Sequence, residues 1–197
     1  MPIRTLAVLT AALLAATPAA AQPTQAFHSD AGYTVQLPAA WRRMPEAELR
    51  EVRRAATRSG VPLTIEAAYR AGEPGEVLPY AALATLDLGE TITPEQFGAF
   101  FASPRAQAAM QEAADQTPAA QHGGRIGLPT WDAENGIVWS RMGMQSDGRS
   151  PAYSWSAATL HPDGRTMVMF IYYGAPDDDE TIARDHLLAI ARSLHAD

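Results

Sequence analysis

The chain has 197 residues, with 15 basic side chains against 22 acidic ones and a formal net charge of -7, so it repels phosphate backbones and anionic lipid and makes a poor nucleic-acid binder. All 15 basic residues are arginine and there is no cysteine. Schiff-base and pyridoxal chemistry, a phosphate-loop lysine, thiol catalysis, disulfides and c-type haem attachment are therefore excluded within this chain.

At the amino terminus Arg4 supplies a positive region, Leu6 to Leu14 an apolar run, and Pro18-Ala19-Ala20-Ala21-Gln22 small residues at a cleavage point. This pattern predicts a secretory signal peptide over 1–21 and a mature chain beginning at Gln22. The apolar run is too short for a bilayer core roughly 30 Å thick, and no later stretch reaches about 20 apolar residues. The expected destination is periplasmic or extracellular, with no membrane span. Losing Arg4 moves the formal charge from -7 to -8. Without covalent staples, residues 22–197 must be held by a buried core, and their length suits one domain.

Phe27 to Gln36 predicts a β-hairpin turning at Asp30-Ala31-Gly32, with Tyr33 and Val35 on one face, stopped by Pro38 and followed by Trp41. From Pro45 the period becomes helical: Leu49, Val52 and Ala56 share a side, Glu46 precedes Arg50 by four residues, and Gly60 ends the element. Leu63 to Ala71 and Tyr80 to Leu88 read as adjacent strands around the turn-rich Gly72-Glu73-Pro74-Gly75. Thr93-Pro94-Glu95-Gln96 is a capping box with proline at the first helical position, and Phe97, Phe100 and Phe101 form an apolar helical face. Ser103-Pro104 interrupts that helix, and a second piece runs to about Asp115.

The stretch 116–129, with Pro118, Gly123, Gly124 and Gly127, is expected to be a mobile loop within the domain. A meander follows: Leu128 to Asp132, Ile137 to Met144, Ala152 to Leu160 and Thr166 to Tyr173. Glu134-Asn135-Gly136 and Pro162-Asp163-Gly164 mark tight turns, and Ser146-Asp147-Gly148 a looser connection. The acidic run Asp177 to Glu180 opens a closing helix with an apolar stripe of Ala183, Leu187, Ile190, Ala191 and Leu194, and Arg192 complements its dipole. The order predicts an α+β fold in which helices pack on an antiparallel sheet.

Gly32-Tyr33-x-Val35-x-Leu37-Pro38-x-x-Trp41 resembles the opening hairpin of the PsbP-like proteins, and Ile190-Ala191-Arg192-Ser193-Leu194 is similar to the way many of them close. The resemblance spans Phe27 to Leu194. It implies an α/β/α sandwich, the fold shared by a photosystem II extrinsic subunit and a Ran-binding nuclear import factor. The matching residues describe packing, so no functional residue is carried over, and fold does not fix function.

Chemistry-bearing residues are scattered. His28, His122, His161, His186 and His195 lack ligand spacing, His186 has Asp185 beside it, and no Gly-x-Ser-x-Gly elbow surrounds Ser154 or Ser156. Asp177 to Glu180 is read as helix capping over calcium binding, and Asp132 with Glu134 as turn residues over an acid/base pair. Trp131, Trp139, Trp155, Tyr153, Tyr172 and Tyr173 are expected mostly in the core, with a ligand groove as the alternative.

Arg50, Arg53, Arg54 and Arg58 on the first helix, with Arg42 and Arg43 just before it, form the candidate partner-binding face, weighed against a solvated face paired to Glu46 and Glu51. No catalytic residue, cofactor or metal is assigned. The expectation is an exported, non-enzymatic binding or assembly module with a protein or small-molecule partner in the cell envelope, acting through the basic helix or the 116–129 loop. The alternative is a small periplasmic hydrolase whose site gathers scattered histidines and carboxylates.

Overall fold

The computed structural model describes residues 23–58, 62–116, 125–143, 151–175 and 178–197, the side chains of Arg58 and Arg125 excepted. The leader, Gly60, His122 with its glycine neighbours, the 146–148 turn and Asp177 lie outside the described residues.

Period-two alternation produces the opening hairpin. Strands β1 (Thr24–His28) and β2 (Tyr33–Pro38) pair antiparallel, with Phe27 opposite Val35. Gly32 takes the left-handed φ of 85° that the turn between them demands. Tyr33, Val35 and Leu37 alternate inward and are fully buried. After β3 (Arg42–Arg43), helix α1 (Glu46–Arg58) presents buried Leu49 and half-buried Val52 and Ala56 to the next strand. Strands β4 (Thr64–Arg70) and β5 (Tyr80–Asp87) then pair antiparallel, with a register shift between Ile65 and Ala67.

Helix α2 (Pro94–Ala102) starts with the expected capping box: the Gln96 N–H donates to the Thr93 hydroxyl at 3.2 Å and the Thr93 N–H to the Gln96 side-chain oxygen at 2.8 Å. Ser103, held extended by the proline that follows, closes α2 and caps α3 (Pro104–Asp115), its hydroxyl accepting from the Ala106 N–H. The apolar face of α2 is narrower than its spacing predicts, because Phe97 is buried but Phe100 is 56 % exposed. Gly98 sits so close to the Trp131 indole that an added Cβ would lie 2.6 Å from it.

Strands β6 (Arg125–Ile126) and β7 (Thr130–Asp132) both border β8 (Ile137–Gly143). The carboxyl end of the stretch expected to be loop is thus strand, because its backbone bonds to the exposed edge of β8, and the Gly127 N–H continues the contact to the Arg141 carbonyl at 2.7 Å. Strands β9 (Tyr153–Leu160) and β10 (Thr166–Gly174) complete the meander. Helix α4 (Glu180–Arg192) follows, and β11 (His195–Ala196) pairs with β2.

The large sheet runs β3-β4-β5-β10-β9-β8-β6, with β7 also on β8; the small sheet runs β1-β2-β11. Alternate residues divide the core between the two faces of the large sheet. Val168, Phe170 and Tyr172 join Tyr69, Leu83 and Trp139 beneath α4 and the small sheet. On the opposite face, Ala82 and Ala84 meet α1, and Val138, Ala158 and Met167 meet α2. The result is an α/β/α sandwich, an α+β fold of helices on an antiparallel sheet. No helix among the described residues is long and apolar enough to cross a membrane.

Candidate functional site

Helix α4 is positioned by its sequence at both ends and along one side. The Asp179 carboxylate accepts from the Thr181 N–H at 2.8 Å, and Arg192 in the last turn donates to the Asn135 side-chain oxygen at 2.8 Å. Its buried stripe of Ala183, Leu187, Ile190 and Ala191 presses on the large sheet, which leaves two flanks.

One flank faces the hairpin across a cleft of about 470 Å³, lined by Thr24, Gln36 and Pro38 on one side and Ile182, His186 and Ala189 on the other. His186 is half-buried, its ring edge-on to Trp41 with centroids 5.7 Å apart, and its Nδ1 is enclosed without a hydrogen-bond partner. Burial pushes the His186 pKa down, against the opposing pull of Asp185. The imidazole is therefore mainly neutral at pH 7, and its Nδ1, shut off from solvent, has no partner among the described residues. Ile182 is 54 % exposed at the rim. This lining can hold an apolar group.

The other flank of α4 packs on β8 and β9 through charge. Arg141 donates twice to Glu180, at 2.7 Å each, and the Trp155 indole N–H donates to the same carboxylate at 2.8 Å. Those hydrogen bonds hold the Glu180 carboxyl below its usual range despite partial burial. Glu180 therefore ties the helix to the sheet, beyond the capping role expected of the acidic run.

The sequence-predicted basic face is only partly available. Arg50, Arg53 and Arg54 surround a shallow depression of about 540 Å³ together with Thr57. Arg53 is bound to Glu46 at 2.8 Å and to the Ile65 carbonyl at 2.9 Å, and Arg54 to Glu51 at 2.7 Å. Glu46 thus pairs seven residues on, with Arg53 instead of Arg50, because the β4 backbone holds the Arg53 guanidinium along the same helix face. Arg50 is exposed, and Arg58 lies in the helix with its side chain outside the described residues. Arg42 donates to the Gly72 carbonyl at 2.9 Å.

His161 does have a carboxylate beside it, Asp163 at 3.1 Å, but it is 8 % exposed and both ring nitrogens are engaged. Nδ1 lies 3.2 Å from the Asp163 backbone nitrogen and 3.1 Å from its carboxylate, and Nε2 lies 3.2 Å from the Gly32 carbonyl oxygen, so the ring ties two hairpin turns together. Burial would raise the Asp163 pKa, yet the backbone N–H groups of Arg165 and Thr166, the Thr166 hydroxyl and His161 hold it down to about 2. The small sheet places His28 and His195 on either side of Thr34, with His28 Nδ1 2.7 Å from its hydroxyl. Among the described residues no group of three or more His, Asp or Glu could hold a metal ion. Asp132 accepts from the Asn135 backbone and side chain, as a turn residue does.

The aromatic set is divided. Trp139, Tyr153 and Tyr172 are core, Trp131 packs on Phe97, Tyr173 stacks on Tyr80, and half-buried Trp155 lies at the surface of the sheet. Sequence reasoning noted His186 with Asp185 beside it among scattered histidines, read Glu180 only as part of the capping acidic run, and passed over Ile182. The available signal was the spacing of Ile182, His186 and Ala189, a second helical side next to the buried stripe.

No family model matches the chain, and no curated protein sequence matches it. Among solved structures it is similar to the solution structure of cyanobacterial PsbP (CyanoP) from Synechocystis sp. PCC 6803, with a TM-score of 0.45 and 13% sequence identity over 88% of this chain and 92% of that one. That protein belongs to the group which the opening hairpin resembles, and the likeness is one of overall layout that transfers no residue role.

Proposed function

We propose that the mature chain is an exported, non-enzymatic binding module of the cell envelope whose working surface is the cleft between α4 and the β1–β2 hairpin. The observation that carries this reading is the cleft itself. Of the surfaces described above, it alone combines an apolar wall with an exposed rim side chain in Ile182. Such a lining suits an apolar side chain of a partner. The basic depression on α1 is the weaker surface, because two of its three described arginines are already paired.

The leader pattern supports export, and fractionation tests it: the chain is expected in the extracytoplasmic fraction without residues 1–21, and an intact chain in the cytosol would count against the proposal. For the cleft, mature protein is used to capture its partner from envelope extract, and direct binding is then measured with the purified partner. Ala189→Arg, which fills the cleft, is expected to abolish binding, and Arg50→Glu/Arg54→Glu to leave it intact. The opposite outcome would move the working surface to α1.

A further inference from the structure

Arg184 stands on the second flank of α4, one turn after Glu180. Its guanidinium carbon lies 5.0 Å from the centroid of the Trp155 ring and 5.5 Å from that of Trp139. The two indoles are set edge to face at 81°, so the guanidinium rests in the angle between them. Each indole is fixed from behind by its own N–H, Trp155 to Glu180 at 2.8 Å and Trp139 to Asp132 at 3.4 Å. The platform is therefore held independently of the arginine.

Among the described residues Arg184 has no ion-pair partner. Glu180, the carboxylate nearest in the helix, spends both oxygens on Arg141 and Trp155. Asp185 points to the other flank, into the wall of the cleft. Among the described residues Arg184 makes no hydrogen bond and no ion pair, and it is exposed. Stacking uses the face of a guanidinium and leaves the donors in its plane free, which is the arrangement that takes a planar anion through two parallel hydrogen bonds. Along this flank Arg141 is matched by Glu180 and Arg192 is held by the Asn135 side chain, which leaves Arg184 as the arginine with its donors open among the described residues.

We propose that Arg184 is a carboxylate-binding residue, presented by the Trp139–Trp155 pair to an acid group carried by a small organic acid or by an acidic polypeptide. This goes beyond the cleft on the opposite flank and does not depend on it.

The test follows the side-chain Nε–H signals of arginine and tryptophan by NMR while succinate is added to the protein, with sodium chloride at matched ionic strength as control. Saturable movement of the Arg184, Trp139 and Trp155 signals is expected with succinate and not with chloride. Arg184→Gln should abolish it, and Arg184→Lys, which keeps the charge and loses the fork, should weaken binding about ten-fold. Equal movement in chloride, persistence in Arg184→Gln, or full-strength binding by Arg184→Lys would each overturn the proposal, as would inorganic phosphate binding tighter than succinate. An N-acetylated, C-amidated Glu-Glu peptide identifies the source: tighter binding than succinate assigns the site to a polypeptide, weaker binding to a small acid, and both support it. Should Arg184→Gln fail to fold, the lysine variant and the chloride control decide alone. Ala189→Arg should leave all three signals responsive, which separates this site from the cleft.

Discussion

Helices α1 and α4 are each thirteen residues long and each carries arginine, yet they use it in opposite ways. On α1 the arginines are dense in sequence, and two of the three whose side chains are described are consumed: Arg53 by Glu46 and the Ile65 carbonyl, and Arg54 by Glu51. On α4 they are sparse: Arg192 binds the Asn135 side chain, and Arg184 lies on two indoles with no hydrogen bond among the described residues. The availability of a charge is therefore decided by the partners the fold brings to it. Density along the chain is a weak guide, because acidic residues interleaved at helical spacing neutralise a basic run from within.

The sharpest way to break this contrast is through the core beneath each helix. Leu187→Ala under α4, a fully buried position, should cost about 2–5 kcal/mol in urea unfolding, toward the upper end, and Leu49→Ala under α1 should fall nearer the lower end of the same range. Equal losses would mean that α1 is as deeply anchored as α4. Next comes the packed contact of α2 with β7. Gly98→Ala forces a methyl group into the Trp131 indole and should destabilise by about 1–3 kcal/mol, whereas an unchanged midpoint would show that the strand yields freely. Glu180→Ala strands the Arg141 guanidinium and the Trp155 N–H. After discounting for solvent screening it should cost about 1 kcal/mol, and Glu51→Ala on α1 clearly less.

Acid sharpens the comparison further. The folded pKa of His186 lies below its unfolded value of 6.5, so the unfolded chain binds the proton first and stability falls as pH drops below that value. His186→Leu should flatten the fall between pH 7.5 and 5.5, and an identical profile would show that the ring is not shielded. Asp163 acts in a lower window: its contribution is full above 3.8 and is lost as pH falls toward about 2, so Asp163→Asn should leave less to lose there. The smallest effect belongs to Arg50→Glu, which should leave the unfolding midpoint nearly unchanged.

The parts of the fold legible in sequence were those governed by neighbouring residues. Thr93 and Gln96 satisfy each other within one turn, Ser103-Pro104 breaks a helix through its own backbone, and Tyr33, Val35 and Leu37 alternate in a strand whose turn is set by Gly32. What escaped depends on distant chain. The two-residue β11 is too short to show alternation and exists because Thr34 and Tyr33 receive it, and β6 forms only along the edge of β8. The candidate cleft was hidden for the same reason. His186 on α4 gains its meaning from Trp41, Gln36 and Pro38, which lie about 150 residues earlier in the chain and enter no local pattern.

Strand β10 sits between β5 and β9, with Thr166 opposite Asp87 and Tyr173 opposite Tyr80. The centre of the large sheet is thus completed by a strand that starts about 80 residues further along the chain than the end of β5. Until it arrives, β5 has an open hydrogen-bonding edge and Leu83 lacks the Phe170 neighbour it meets across the ladder. Such closure over a long span places the chain among the slow folders, on timescales of about milliseconds to seconds, with its first half exposed to mispairing in the meantime. Deleting the segment after Leu160 should leave a collapsed, aggregation-prone remnant and not a smaller working protein.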